Sequence, residues 1–166
     1  MSDARLALMA DSHDRLDHLK SALAQIQEAN CSHLVHAGDL NAPFVIADLA
    51  NGFDGPIHIV FGNNEGDGRL CQQVASKFPH VTLHGPYFEV EMGGLKVACI
   101  HYPEPALRVA QSGQLDVVVY GHDHTAHHSL HGDCHLINPG EIMGRLGEPS
   151  WGLFDGSSRS YQRMVF

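Results

Sequence analysis

Apolar positions along the chain fall into two regimes. Over the first half, short apolar runs alternate with longer stretches in which apolar residues recur every three to four positions. Residues 5–10 (RLALMA), 32–37 and 56–61 (PIHIVF) are the runs, and each reads as a buried strand. Between them, Leu16, Leu19, Leu23 and Ile26 share one face of a helix predicted over 14–30. Asp14 and Asp17 fall in its first turn, where the helix dipole favours negative charge. Asn41 before Pro43 signals a second helix over 43–50, with Asn41 as the capping side chain. Leu70, Val74 and Phe78 give a third over 69–78, closed by Pro79. Strand–helix alternation of this kind predicts parallel strands joined by right-handed crossovers.

The second half is mostly period two. A short strand over 81–83 precedes the alternating 87–92 (YFEVEM), a Gly93-Gly94 turn and a return strand over 95–100. A helix over 105–111 and a buried strand over 117–120 follow. Short strands over 126–130, 134–137, 151–154 and 161–166 complete the chain, separated by turns rich in Gly, Asn, Asp and Pro.

Composition narrows the function classes. With 166 residues the chain is expected to form one domain over 1–166. Ten basic against 19 acidic residues give a net charge of −9, and no basic run occurs, which argues against a nucleic-acid footprint. No apolar stretch reaches the roughly 20 residues of a membrane span, and no secretory leader is read at the N-terminus. Four scattered cysteines (Cys31, Cys71, Cys99, Cys134) read as free thiols, so a cytoplasmic protein is expected. Trp151 and Phe166 suit either a core or a homo-oligomer interface.

The chemistry gathers where strands end. Asp11 and His13 follow the first strand, Asp39 the second, Asn63 the third, His101 the 95–100 strand, and His122 with His124 the 117–120 strand. Singly, each has a plain structural explanation: a helix cap, a turn residue, a solvated loop histidine. Jointly they are seven metal-ligand types at five strand ends. Gly38, Gly62 and Gly121 stand just before three of them, where the backbone must come close to a site. Carboxylate, imidazole and amide-oxygen ligands suit Mn²⁺, Fe²⁺ or Zn²⁺. Seven ligands exceed one such ion and fit two if a carboxylate bridges.

The order DSH, GD, GNNE, a lone strand-end His and GHDH resembles the calcineurin-like metallophosphoesterases, in particular the small bacterial and archaeal phosphodiesterase-like group, which also holds a eukaryotic retromer scaffold subunit. The resemblance runs from Asp11 through Asn138-Pro139-Gly140-Glu141. It implies an α/β fold of two mixed β-sheets packed as a sandwich and flanked by helices. It implies a first metal on Asp11, His13 and His124, a second on Asn63, His101 and His122, and Asp39 between them. Two divalent ions are implied, with Mn²⁺ the first choice and Fe²⁺, Zn²⁺ or Ni²⁺ as alternatives. A metal-bridging hydroxide would attack phosphorus in line, with Asp39, Asn64 and His101 as catalytic residues on a small phosphate ester. A phosphodiesterase is preferred, because Asn64 stands where many relatives carry a His that protonates the leaving group, and an amide is no general acid. Tyr102 replaces a usual glycine and is expected to narrow the mouth of the site. The alternatives are a non-catalytic scaffold on the same fold and a His-rich metal buffer. His36 and His58 are expected to be structural, with support of the site next to Gly38-Asp39 as the alternative for His36. His18, His33, His80, His84, His127, His128, His131 and His135 are expected at the surface or on strand faces. Arg69 and Arg145 are expected to be solvated, with contact to a substrate phosphate as the alternative for both, and Glu141 is given no role.

Overall fold

In the computed structural model, residues 4–166 are described, and two β-sheets lie face to face with helices on both outer sides. β1 (Arg5–Met9), β2 (His33–His36), β3 (Ile57–Ile59) and β4 (Val81–Leu83) pair in parallel, in that order. Their connections are α1 (Leu16–Glu28), α2 (Pro43–Gly52) and α3 (Gly68–Ala75). The second sheet holds β5 (Tyr87–Met92), β6 (Leu95–Ile100), β7 (Val117–Val119), β8 (His127–His131) and β9 (Cys134–Asn138), in the order β5-β6-β7-β9-β8. α4 (Pro103–Ala110) links β6 to β7. The chain then returns to the first sheet. β10 (Ser150–Asp155) pairs antiparallel with β1, Arg5 opposite Asp155, and β11 (Ser160–Val165) pairs with β10. Both sheets are therefore mixed, as the sequence implies.

Side-chain alternation on β1 sorts the layers. Ala7 and Met9 pack outward against Leu19, Leu23 and Ile26 of α1 and Ile46 and Leu49 of α2. Leu6 and Leu8 point inward, where they meet Val97, Cys99, Val117, Val119 and Ile137 of the facing sheet. The outer face of that sheet, Ala98, Val118 and Leu136, is covered by Ala106 and Ala110 of α4. β1 and β7 read as continuous apolar runs because both of their faces are covered.

Four expectations are corrected. α1 starts at Leu16, since Asp14 has φ 53° and belongs to the preceding loop. α2 has Ala42 at its N-cap with no side-chain bond, and Asn41 turns away to His13. α3 buries Cys71 and Ala75, leaving Leu70 44% exposed, so its inner face lies one residue on from the predicted stripe. α4 begins at Pro103, two residues earlier than predicted. Trp151 is fully buried and belongs to the core. His135, expected on a strand face, is buried against Phe154.

Candidate metal centre

β1, β2, β3, β6 and β7 all run the same way within their sheets, and their carboxyl ends gather on one side of the sandwich. β1, β2 and β7 deliver their polar residues through a tight departure from extended backbone. Asp11, His13, Asp39, Asn41, His122 and His124 all have positive φ, between 43° and 75°. Such conformations are uncommon outside glycine and cost on the order of 1 kcal/mol each, and they concentrate at functional sites. The backbone also crowds the cluster. A Cβ on Gly62 would collide with the Asp39 carboxylate and the His101 ring, so only glycine lets β3 end there.

The seven residues converge. The ligand atoms of Asp11, His13, Asp39 and His124 lie within 4.8 Å of one another. His13 Nε2 is 3.3 Å from Asp39 Oδ2 and 4.0 Å from Asp11 Oδ1, and His124 Nε2 is 3.6 Å from Asp11 Oδ1. Beside them, Asn63 Oδ1 sits 3.1 Å from His101 Nε2 and 2.9 Å from His122 Nδ1. Asp39 joins the two groups. Its Oδ1 lies 3.4 Å from His101 Nε2 while its Oδ2 faces His13.

The opposite nitrogens of three rings are anchored outward. His101 Nδ1 donates to the Ala37 carbonyl at 2.7 Å, and a carbonyl only accepts, so Nε2 carries the lone pair that faces the cluster. His124 Nδ1 donates to Glu141 Oε2 at 2.6 Å, and His13 Nδ1 meets Asn41 Oδ1 at 3.1 Å. His13 Nε2 is buried without a hydrogen-bond partner. The ring lone pairs of His13, His101 and His124 thus face carboxylate oxygens, an arrangement that suits cations.

Electrostatics agree. Burial pushes the Asp11 carboxyl up to about 7 against the pull of His124. Burial also pushes Asp39 up, but hydrogen bonds from the Asn64 side chain and backbone, with His101 and His13, outweigh it and hold the carboxyl below its usual range. Burial lowers the pKa of His101, keeping the ring neutral and able to ligate.

Three supporting residues, Glu65, Glu141 and Asn138, were missed or given no role from sequence, and a fourth, His36, was expected chiefly to fill the core. Glu65 accepts from the backbone N–H groups of Asp39 (2.7 Å), Leu40 (3.0 Å) and Gly62, fastening the ends of β2 and β3 together. Glu141 holds His124 and accepts from the N–H groups of Leu146 and Gly147. Asn138 Nδ2 donates to Asp123 Oδ1, fixing the turn between His122 and His124. His36 Nδ1 accepts from Gly38 N–H while Nε2 meets Ser12 Oγ at 3.0 Å. Glu65 and Glu141 each stand in a recognised motif, GNNE and NPGE, and that position was the available signal. Asn64, expected as a catalytic residue, donates its amide to Asp39 Oδ2 at 2.8 Å and its backbone N–H to Oδ1 at 2.9 Å. Tyr102 stands edge-on to His122, ring centres 4.8 Å apart. A cleft of about 610 Å3 opens beside the cluster, between Asp14, Asn41, Asn64, Met143, Arg145 and Leu146.

The sequence profile of the calcineurin-like phosphoesterase superfamily domain matches residues 5–158. The chain belongs to that superfamily. It is 30% identical over 164 residues to phosphodiesterase MJ0936 of Methanocaldococcus jannaschii, covering 97% of this chain and 98% of that protein. Among solved structures, an archaeal phosphodiesterase superposes with a TM-score of 0.90 at 29% identity, over 98% of this chain and 99% of that one. The E. coli phosphoesterase YfcE (TM-score 0.70, 20% identity, 97% and 98% covered) and vacuolar protein sorting 29 of Cryptosporidium parvum (0.68, 14%, 100% and 98%) share the fold. Among the described residues no helix is long and apolar enough to cross a membrane.

Proposed function

We propose that residues 1–166 act as one metallophosphoesterase domain and that the chain is a two-metal phosphodiesterase on small phosphate esters. One observation carries the reading. The two oxygens of Asp39 face two separate ligand groups, Oδ2 toward His13 and Oδ1 toward His101. A carboxylate so placed is the bridge that a pair of divalent ions needs. Asp11, His13 and His124 would hold one ion and Asn63, His101 and His122 the other. Two such ions supply an activated water and offset the charge of the phosphoryl group. The mixed carboxylate, imidazole and amide donors suit Mn²⁺, Fe²⁺ and Zn²⁺, and Mn²⁺ is the first choice for the test.

The chain's own residues do the rest. Asn64 orients the Asp39 carboxylate through two hydrogen bonds. With its amide so engaged, no side chain at this position protonates a leaving group, which favours diesters with good leaving groups. A small substrate, not nucleic acid, fits a chain of net charge −9. Four free cysteines support the cytoplasm as its place of action.

The test is hydrolysis of an aryl phosphodiester beside the matching aryl monoester by metal-stripped protein refilled with Mn²⁺. Diester turnover above monoester turnover is expected, with loss of nearly all activity in Asp39→Asn. Metal binding without turnover of either ester would replace this reading with a scaffold.

A further inference from the structure

Loop 139–149 lies against the metal-ligand cluster and is pinned from several directions. Ile142 N–H donates to the Ala10 carbonyl at 3.1 Å and Met143 N–H to the Asp11 carbonyl at 3.0 Å. His18 Nδ1 lies 3.0 Å from the Ile142 carbonyl oxygen. Glu141 then ties the far side of the loop, Leu146 and Gly147, to the ligand histidine His124. Gly144 makes the turn at φ 65°, where an added Cβ would strike His18 and Pro149.

A loop fastened at both flanks presents what lies between them. Here that is Arg145, which lines the cleft beside His13 and His124. Of the six other arginines, Arg69 and Arg108 also lack a guanidinium partner among the described residues but line no part of this cleft, and the remaining four find acceptors. Arg5 meets Asp155 and the Ala29 carbonyl, Arg15 meets Asp17, Arg159 meets Asp116, and Arg163 meets Ser150 and the Glu148 carbonyl. Arg145 has no hydrogen-bond or ion-pair partner among the described residues, although Asp14 lines the same cleft. It is also the one arginine or lysine of the lining. A planar, permanently charged fork of donors suits a phosphoryl group, whose oxygens accept in pairs.

We propose that Arg145 is a substrate-contacting residue, its guanidinium binding non-bridging oxygens of the phosphoryl group held at the metal pair. The inference rests on the phosphoesterase reading and names the side chain that touches its substrate. It also explains how the cleft recognises phosphate with Asn64 committed to Asp39: the positive contact comes from loop 139–149. The loop's anchors fix the backbone from which Arg145 projects, so that ordering on anion binding is confined to the side chain.

The experiment uses the Mn²⁺-loaded full chain, Arg145→Met and Arg145→Lys, with inorganic phosphate as the binding probe. Metal content is measured first and is expected to equal that of the unmutated chain, because Arg145 touches no ligand. Calorimetric titration then gives phosphate affinity. Loss of a charge-assisted pair of hydrogen bonds is expected to weaken it about 10- to 100-fold in Arg145→Met, with partial recovery in Arg145→Lys. Steady-state kinetics on the aryl diester should show kcat/KM falling by a similar factor. Unchanged phosphate affinity in Arg145→Met would overturn the proposal, as would loss of metal, since Arg145 would then act on the ligands. If the unmutated chain hydrolyses no ester yet binds phosphate more tightly than Arg145→Met, the site assignment stands and the phosphodiesterase reading fails.

Discussion

At the scale of single residues, the site is built by carboxylates that never face the cluster themselves. Glu65 spends both oxygens on three backbone N–H groups. Burial raises its pKa, opposed by the N–H groups of Gly62, Leu40 and Asp39. Glu141 divides its oxygens between the His124 ring and loop 139–149. Burial would push Glu141 up, and the His124 hydrogen bond with the Gly147 and Leu146 N–H groups pulls it below its usual range, so it stays ionised. An ionised acceptor behind a ligand imidazole fixes the tautomer and strengthens the lone pair on the far nitrogen. Glu141→Gln keeps the shape and removes the charge. It is expected to weaken Mn²⁺ binding about 10- to 100-fold, read by competition with a chelator of known affinity. Unaltered affinity would mean that Glu141 only staples the loop.

At the scale of elements, short helices need local help, because most of a helix's stability comes from packing an apolar face. α3 has eight residues and buries only Cys71 and Ala75. Its start is fixed by Asp67, whose Oδ1 accepts from Arg69 N–H at 2.9 Å and Leu70 N–H at 3.1 Å. Asp67→Ala is expected to cost about 1 kcal/mol, measured as a lower urea midpoint with unchanged slope; an unmoved midpoint would show that packing alone holds α3. The strands and their order through β3 were legible because buried parallel strands are apolar throughout and end where polar residues begin. The seven residues that converge in the candidate centre were legible for the same reason. Helix starts were not. Asp14 and Asn41 have the composition of helix openings, yet both adopt positive φ, in loops beside the cleft. The return of β10 and β11 to the first sheet was also hidden, since it depends on pairing Arg5 with Asp155 across the whole chain and leaves no local periodicity. Glu65 and Glu141 act on backbone N–H groups that only the folded chain brings together.

For the whole molecule, the feature that spreads beyond the site is the histidine content, 14 residues, several held inside. Burial drives His36 down to about 3, with its Nδ1 already accepting from Gly38 N–H. His58 falls to about 4 through burial and the neighbouring His84, whose Nε2 lies 2.9 Å from His58 Nδ1. Burial also lowers His33, His84, His101, His128 and His135. The direction follows from linkage. The folded chain disfavours these protons and the unfolded chain takes them up near pH 6.5, so their contribution to stability is complete above 6.5 and is lost as pH falls below it. Asp11, raised to about 7, works the other way in metal-free protein, because the folded state there binds its proton first. Comparing two chains isolates the histidine part. His36 is fully buried, and with a folded value near 3 its share of the loss at pH 5 is about 2 kcal/mol. Metal-stripped His36→Gln is expected to melt below the unmutated chain at pH 7.5. The gap should then shrink by about 4–8 °C at pH 5, because the variant has no proton to refuse. A gap that stays constant across that range would mean that His36 does not titrate between the two states and that acid sensitivity arises from the other buried rings.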